Sequence, residues 1–127
     1  MSIKTESKKI LVVDDDEGIR SGYSQLFTRQ GYDVTVASNG LFGIQEFEST
    51  QFDLVITDIL MPGEDGLIFI KQIRRYDPDV KIIAISGGGK SHNMGFLDIA
   101  KKFGADVTLQ KPISVADLIK VVHDILN

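Results

Sequence analysis

Four strand-like runs in this chain lead into residues able to do metal or phosphoryl chemistry. ILVV, from Ile10, runs into Asp14, Asp15 and Asp16, and LVIT, from Leu54, runs into Asp58. IIAI, from Ile82, ends at Ser86, and VTL, from Val107, is followed two residues on by Lys111 and Pro112. Carboxylates brought close together raise one another's pKa or require a cation. Hard oxygen donors in this number suit Mg²⁺, which keeps several waters and takes few protein carboxylates. A carboxylate nucleophile, a hard cation, a hydroxyl and a fixed ammonium are together the parts of a phosphoryl-transfer site. Singly, each has an ordinary explanation as a solvated loop residue or a helix cap. Asp16 and Glu17 keep that ordinary reading, because negative charge is favourable at the start of a helix. Five groups at the ends of four separate strands, Asp14, Asp15, Asp58, Ser86 and Lys111, go beyond it.

Those residues meet only if the strands are parallel neighbours. Apolar runs alternate with helix-like stretches five times, the pattern of an α/β domain with a parallel sheet. The expected strands are Ile10 to Val13, Val34 to Val36, Leu54 to Thr57, Ile82 to Ile85 and Val107 to Leu109. ILVV, LVIT and IIAI are nearly continuous apolar runs, as required when helices cover both faces. VTV and VTL place a threonine between apolar residues, which suits edge strands. A doubly wound order 2-1-3-4-5 puts those two at the edges with right-handed crossovers. In that order ligands bind at the carboxyl ends of the strands, beside the first and third.

Helical spacing joins Ile19, Tyr23, Leu26 and Phe27 in the first helix, and Val115, Leu118, Ile119, Val122 and Leu126 in the last. Both stripes are expected to be core. Ser114 before the second stripe, with Asp117 three positions on, fits an N-cap with an acidic first turn.

The chain has 127 residues and a formal net charge of -4, enough for one core and without the basic balance of a nucleic-acid binder. It has no cysteine, which excludes disulfides and thiolate metal sites. The start, MSIKTESKK, lacks a signal-peptide run and no segment approaches a membrane span, so a cytoplasmic protein is expected. Residues 1–8 read as a polar leader and 9–127 as one domain.

From about Lys9 to Leu126 the chain resembles the receiver domains of two-component response regulators. The resemblance is carried by ILVVDDD, DLVITDILMPGEDGL, IIAIS and GADVTLQKPI. It implies a (βα)5 flavodoxin-like sandwich that acts as a phosphorylation-activated switch, and not as a multiple-turnover metabolic enzyme. Asp58 would be the phosphoacceptor. Asp14, Asp15, Asp58 and the backbone carbonyl of Leu60 would hold Mg²⁺, with Mn²⁺ as the alternative ion. Ser86 and Lys111 would bind phosphoryl oxygens, and the bond before Pro112 would be cis. The implied partners are a sensor histidine kinase or histidine phosphotransfer protein as donor and a downstream protein target. That target would be reached through the face of the fourth helix, fifth strand and fifth helix, without direct nucleic-acid contact or membrane insertion.

Two positions depart from the family pattern. Where many relatives carry an aromatic switch residue three positions before the lysine, this chain has Thr108. The segment from Ser86 to Gly95 is about three residues longer than usual, and Gly87, Gly88 and Gly89 suggest a mobile switch loop. Gly89-Lys90-Ser91 imitates the end of a P-loop, but the position five before that glycine is Ala84, inside a strand. His92 and His123 are isolated and read as surface residues. A small phosphatase would need a second acid where Leu60 stands, together with a cap, and a flavodoxin-like cofactor protein would not place three aspartates after its first strand. A degenerate docking module would not be expected to keep the full set of site residues.

Overall fold

The computed structural model describes residues 7–61, 64–87 and 94–127. The elements alternate as β1 (Lys9–Val13), α1 (Glu17–Arg29), β2 (Asp33–Ala37), α2 (Gly40–Ser49), β3 (Leu54–Asp58), α3 (Gly66–Tyr76), β4 (Lys81–Ser86), α4 (Met94–Phe103), β5 (Val107–Gln110) and α5 (Val115–Leu126). All five strands are parallel and the sheet order is β2-β1-β3-β4-β5. This is the order expected from the two threonine-interrupted strands. A feature without a sequence signal is the short antiparallel ladder between β3 and α3, which pairs Leu60–Met61 with Glu64–Asp65.

The central strands are apolar throughout because each face has its own helical layer. Leu11, Val13, Val55, Ile82 and Ala84 face a layer containing Phe47 of α2, Phe69, Ile70 and Ile73 of α3, and Ala100 of α4. Ile10, Val12, Leu54, Ile56, Ile83 and Ile85 face Phe27 of α1 with Leu118 and Val122 of α5. Successive side chains alternate between the two cores, as the period of two along a strand requires. Each fully buried aliphatic side chain contributes roughly 1.5–3 kcal/mol relative to exposure. At the edges, Thr35 of β2 and Thr108 of β5 are half-buried, and Val36 is exposed.

Side-chain caps set the helix starts. Asp16 Oδ1 accepts the Ile19 amide, Asn39 Oδ1 accepts that of Phe42, and Ser114 Oγ accepts that of Asp117. Each satisfies a backbone donor that the helix itself leaves without a partner. One residue of the α5 stripe departs from expectation: Val115 is 59% exposed. It is the first residue of α5 and its neighbours Ser114 and Ala116 are exposed with it, so the buried stripe begins one turn later, at Leu118.

At the edge of the sheet away from the carboxyl ends of the strands, Arg74 ties three segments together. Its guanidinium donates to the carbonyls of Gly104, Val80 and Asp77 and pairs with Asp106 at 2.9 Å. Gly104 closes α4 at φ +126°, a conformation that favours glycine.

Gly66 shapes the opposite edge. Its amide donates to the Ile59 carbonyl, and a Cβ placed on it would lie 2.5 Å from the Asp58 carbonyl oxygen and 2.7 Å from the Ile59 Cα. Those neighbours are backbone and cannot rotate away. Substituting Gly66→Ala is therefore expected to destabilise the fold by about 1–3 kcal/mol. Gly22→Ala, at a position in α1 with open space around it, should instead stabilise by about 0.5–1 kcal/mol. Urea unfolding midpoints of the two variants check both signs.

Candidate metal and phosphoryl site

β1 and β3 lie side by side with Val13 opposite Thr57, so Asp14 and Asp58 leave adjacent strands on the same edge. Asp14, Asp15 and Asp58 each offer a carboxylate oxygen, and the three oxygens lie within 4.8 Å of one another. This group could hold a metal ion. Lys111 arrives from the end of β5, its Nζ 3.8 Å from Asp14 Oδ2 and 3.9 Å from Asp58 Oδ2. Ser86 is the last residue of β4 and is almost wholly buried. Its carbonyl accepts the Lys111 amide at 2.9 Å, which joins the ends of β4 and β5. All five residues singled out in the sequence thus sit on one edge of the sheet.

Burial sets the electrostatics. Asp14 is 4% exposed, and its carboxyl is pushed above the ordinary range chiefly by loss of water. The Asp16 amide, at 2.9 Å from Asp14 Oδ1, and the Lys111 ammonium oppose that rise, while Asp15 and Asp16 add to it. Among the described residues, the Lys111 ammonium approaches two of the three carboxylates at just under 4 Å. The donor set of three carboxylates fits a hard divalent cation.

The remaining expected residues fall as follows. Leu60 enters the short ladder two residues after Asp58, opposite Asp65. The Lys111–Pro112 peptide bond is cis. Thr108 lies in β5 opposite Ala84, half-buried. Gly87 follows Ser86 and is half-buried, whereas Gly88, Gly89, Lys90, Ser91 and His92 lie outside the described residues. His123 is exposed on α5, far along the helix from its cap. Asp16 is the cap of α1, as its position suggested.

Two further residues at this site lie outside the expected set: Tyr23 carries only a core reading in the sequence, and Arg20 carries no sequence signal. Tyr23, on α1, has its hydroxyl pKa raised by burial and then by the negative charge of Asp14 and Asp58. With Ile19, Lys111, Pro112 and Ile113 it lines an open cleft of about 530 Å³. Arg20 donates from Nη1 to the Asp14 carbonyl at 2.9 Å. Its spacing from the acidic run fits the second turn of α1, but only the folded turn places the carbonyl within its reach.

The chain matches the family described as the response regulator receiver domain over residues 10–123. It is 30% identical to sporulation initiation phosphotransferase F of Bacillus subtilis, with 88% of each chain covered. It is also 30% identical to the chemotaxis protein CheY of Thermotoga maritima, covering 93% of this chain and 97% of that protein. The chain spans 37% of the transcriptional activator protein PfeR of Pseudomonas aeruginosa, at 35% identity, and 24% of the NtrC regulator of Azospirillum brasilense. A CheY-like receiver domain protein from Methanospirillum hungatei superposes with a TM-score of 0.88 at 28% identity, over 95% of this chain and 94% of that one. The chain belongs to the receiver domain family of two-component response regulators. Among the described residues no helix is long and apolar enough to cross a membrane.

The raised Asp14 pKa has a definite sign for stability. Where the folded pKa exceeds the unfolded value, the ionised group destabilises the fold in full above the folded pKa, and that cost shrinks as pH falls below it and is gone below the unfolded pKa. Asp14→Asn, in EDTA at neutral pH, is expected to raise the melting temperature by on the order of a few degrees. The gain should shrink toward zero as the wild-type carboxyl protonates on acidification, which thermal melts across pH will read.

Proposed function

We propose that this receiver domain accepts a phosphoryl group on Asp58 from a phosphohistidine and thereby switches its contacts with a protein target. The observation that carries this reading is the meeting of Asp14, Asp15, Asp58 and Lys111 at one sheet edge, with Ser86 at the end of the neighbouring strand. A carboxylate oxygen of Asp58 attacks phosphorus as the phosphorus–nitrogen bond of the donor breaks. The electron pair stays with the departing imidazole, and the product is a mixed anhydride on Asp58.

Asp14, Asp15 and Asp58, with the backbone carbonyl of Leu60, would hold Mg²⁺ or, as substitute, Mn²⁺. When bound, that ion offsets the charge gathered between carboxylates and phosphoryl oxygens. Lys111 presents a compact charge to one phosphoryl oxygen, the role that suits an ammonium. Ser86 donates its hydroxyl to another. With Ser86 and Lys111 joined through their backbones, a shift of either strand end moves both groups.

Relatives named as a phosphotransferase and as a sensor kinase, the latter CckA of Brucella abortus, support a kinase or histidine phosphotransfer protein as donor. The reading further takes residues 9–127 as the receiver unit after a polar leader of residues 1–8, in a cytoplasmic setting. The target would be reached through α4, β5 and α5, and Gly87, Gly88 and Gly89 would belong to the segment that responds to Ser86. Thr108, in place of an aromatic ring, leaves that segment as the route of the signal.

Incubation with Mg²⁺ and a small acyl phosphate should add one phosphoryl group by intact mass. The gain should vanish with EDTA and in Asp58→Asn. A wild-type protein that binds Mg²⁺ but is phosphorylated only by a protein donor would narrow the donor class. A protein that neither binds Mg²⁺ nor gains phosphate from any donor would overturn the reading.

A further inference from the structure

Asp14 is held at each of its polar groups. Its amide donates to the Ala37 carbonyl at 3.2 Å, and its Oδ1 accepts the Asp16 amide at 2.9 Å. Its Oδ2 faces Lys111, and its carbonyl accepts Arg20 Nη1 at 2.9 Å. The first continues the β1–β2 ladder, the second is local backbone geometry and the third belongs to the phosphoryl site. The fourth comes from a side chain on the second turn of α1, in a helix whose own start is fixed by the Asp16 cap.

The consequence follows from peptide planarity. The Asp14 carbonyl belongs to the rigid unit that joins Asp14 to Asp15, so fixing its oxygen fixes the direction in which the chain leaves toward Asp15. Asp15 itself is exposed and has no strand partner to orient it, since β1 ends at Val13. A hydrogen bond from a charged donor to that oxygen is stronger than one from a neutral group. We infer that Arg20 is a positioning residue for cation binding, acting through the Asp14 carbonyl to set how the Asp14 and Asp15 carboxylates converge.

Arg20 also carries a positive charge close to the proposed cation site, and by itself that charge opposes a second cation. The two effects have opposite signs. If positioning dominates, loss of the guanidinium weakens Mg²⁺ binding; if its charge dominates, the same loss strengthens it. Groups that orient metal ligands commonly cost tenfold or more in affinity when removed. The partly buried hydrogen bond to the carbonyl, together with screening of the guanidinium by water, favours positioning.

The inference rests on the reading of Asp14, Asp15 and Asp58 as cation ligands. Its test is calorimetric titration of Mg²⁺ into wild type, Arg20→Met, Arg20→Ala and Arg20→Lys, each first checked for folding by circular dichroism and urea midpoint. Arg20→Met keeps the aliphatic stem and removes the donor, and serves if Arg20→Ala does not fold. The expected result is about a tenfold rise in the Mg²⁺ dissociation constant for Met, with most of the loss recovered by Lys. At saturating Mg²⁺, phosphorylation of the Met variant by acyl phosphate should approach the wild-type rate. Unchanged or tighter Mg²⁺ binding by a folded Met variant overturns the inference, as does a Lys variant no better than Met. No Mg²⁺ binding by the wild type would instead remove the reading beneath it.

Discussion

Three carboxylates within 4.8 Å of one another are held together only because something larger opposes their separation. Their like charges repel, and Asp14 has lost most of its water. The opposing work is done by the sheet beneath. β1 and β3 pair in register from Ile10 opposite Leu54 to Val13 opposite Thr57, and helices seal both faces. The acidic group lies where that ladder ends, so its geometry follows from apolar packing below it and from a few polar ties above it. This is a fold spending part of its stability on a site that its own electrostatics disfavour.

The ties above the ladder are short-range and depend on one another. Asp16 caps α1 through its side chain and supports Asp14 through its amide. Arg20, placed by that same helix, returns to the Asp14 carbonyl. On the other side, Gly66 lets the start of α3 lie against the backbone of Asp58 and Ile59. Helix starts and acidic residues are therefore parts of the same construction, and a change in one is felt by the other.

Much of this was legible in the sequence because it depends on periodicity and on strand ends. Continuous runs against threonine-interrupted runs gave the central and edge strands, and sheet order then brought Asp14, Asp58, Ser86 and Lys111 to one edge. What was not legible depends on distances between segments. Nothing in a linear pattern says that Gly66 must clear the Asp58 carbonyl, or that Arg20 reaches a backbone oxygen and not a carboxylate. The ladder of Leu60–Met61 with Glu64–Asp65 is too short to carry an alternation. Val115 satisfied the helical spacing of the α5 stripe yet starts the helix at an exposed rim, where spacing does not imply cover.

Arg74 gives the molecule a fulcrum. By binding the Gly104 carbonyl and Asp106 while standing on α3, it pins the end of α4 to the edge of the sheet away from the acidic group. A helix of ten residues is about 15 Å long, so a tilt of about 20° around a pinned end carries the other end roughly 5 Å. Any rotation of α4 is then a lever stroke with its full travel at Met94 and almost none at Phe103. A surface that reads such a stroke has to rest on the travelling end, and one that rests on the fulcrum feels no displacement.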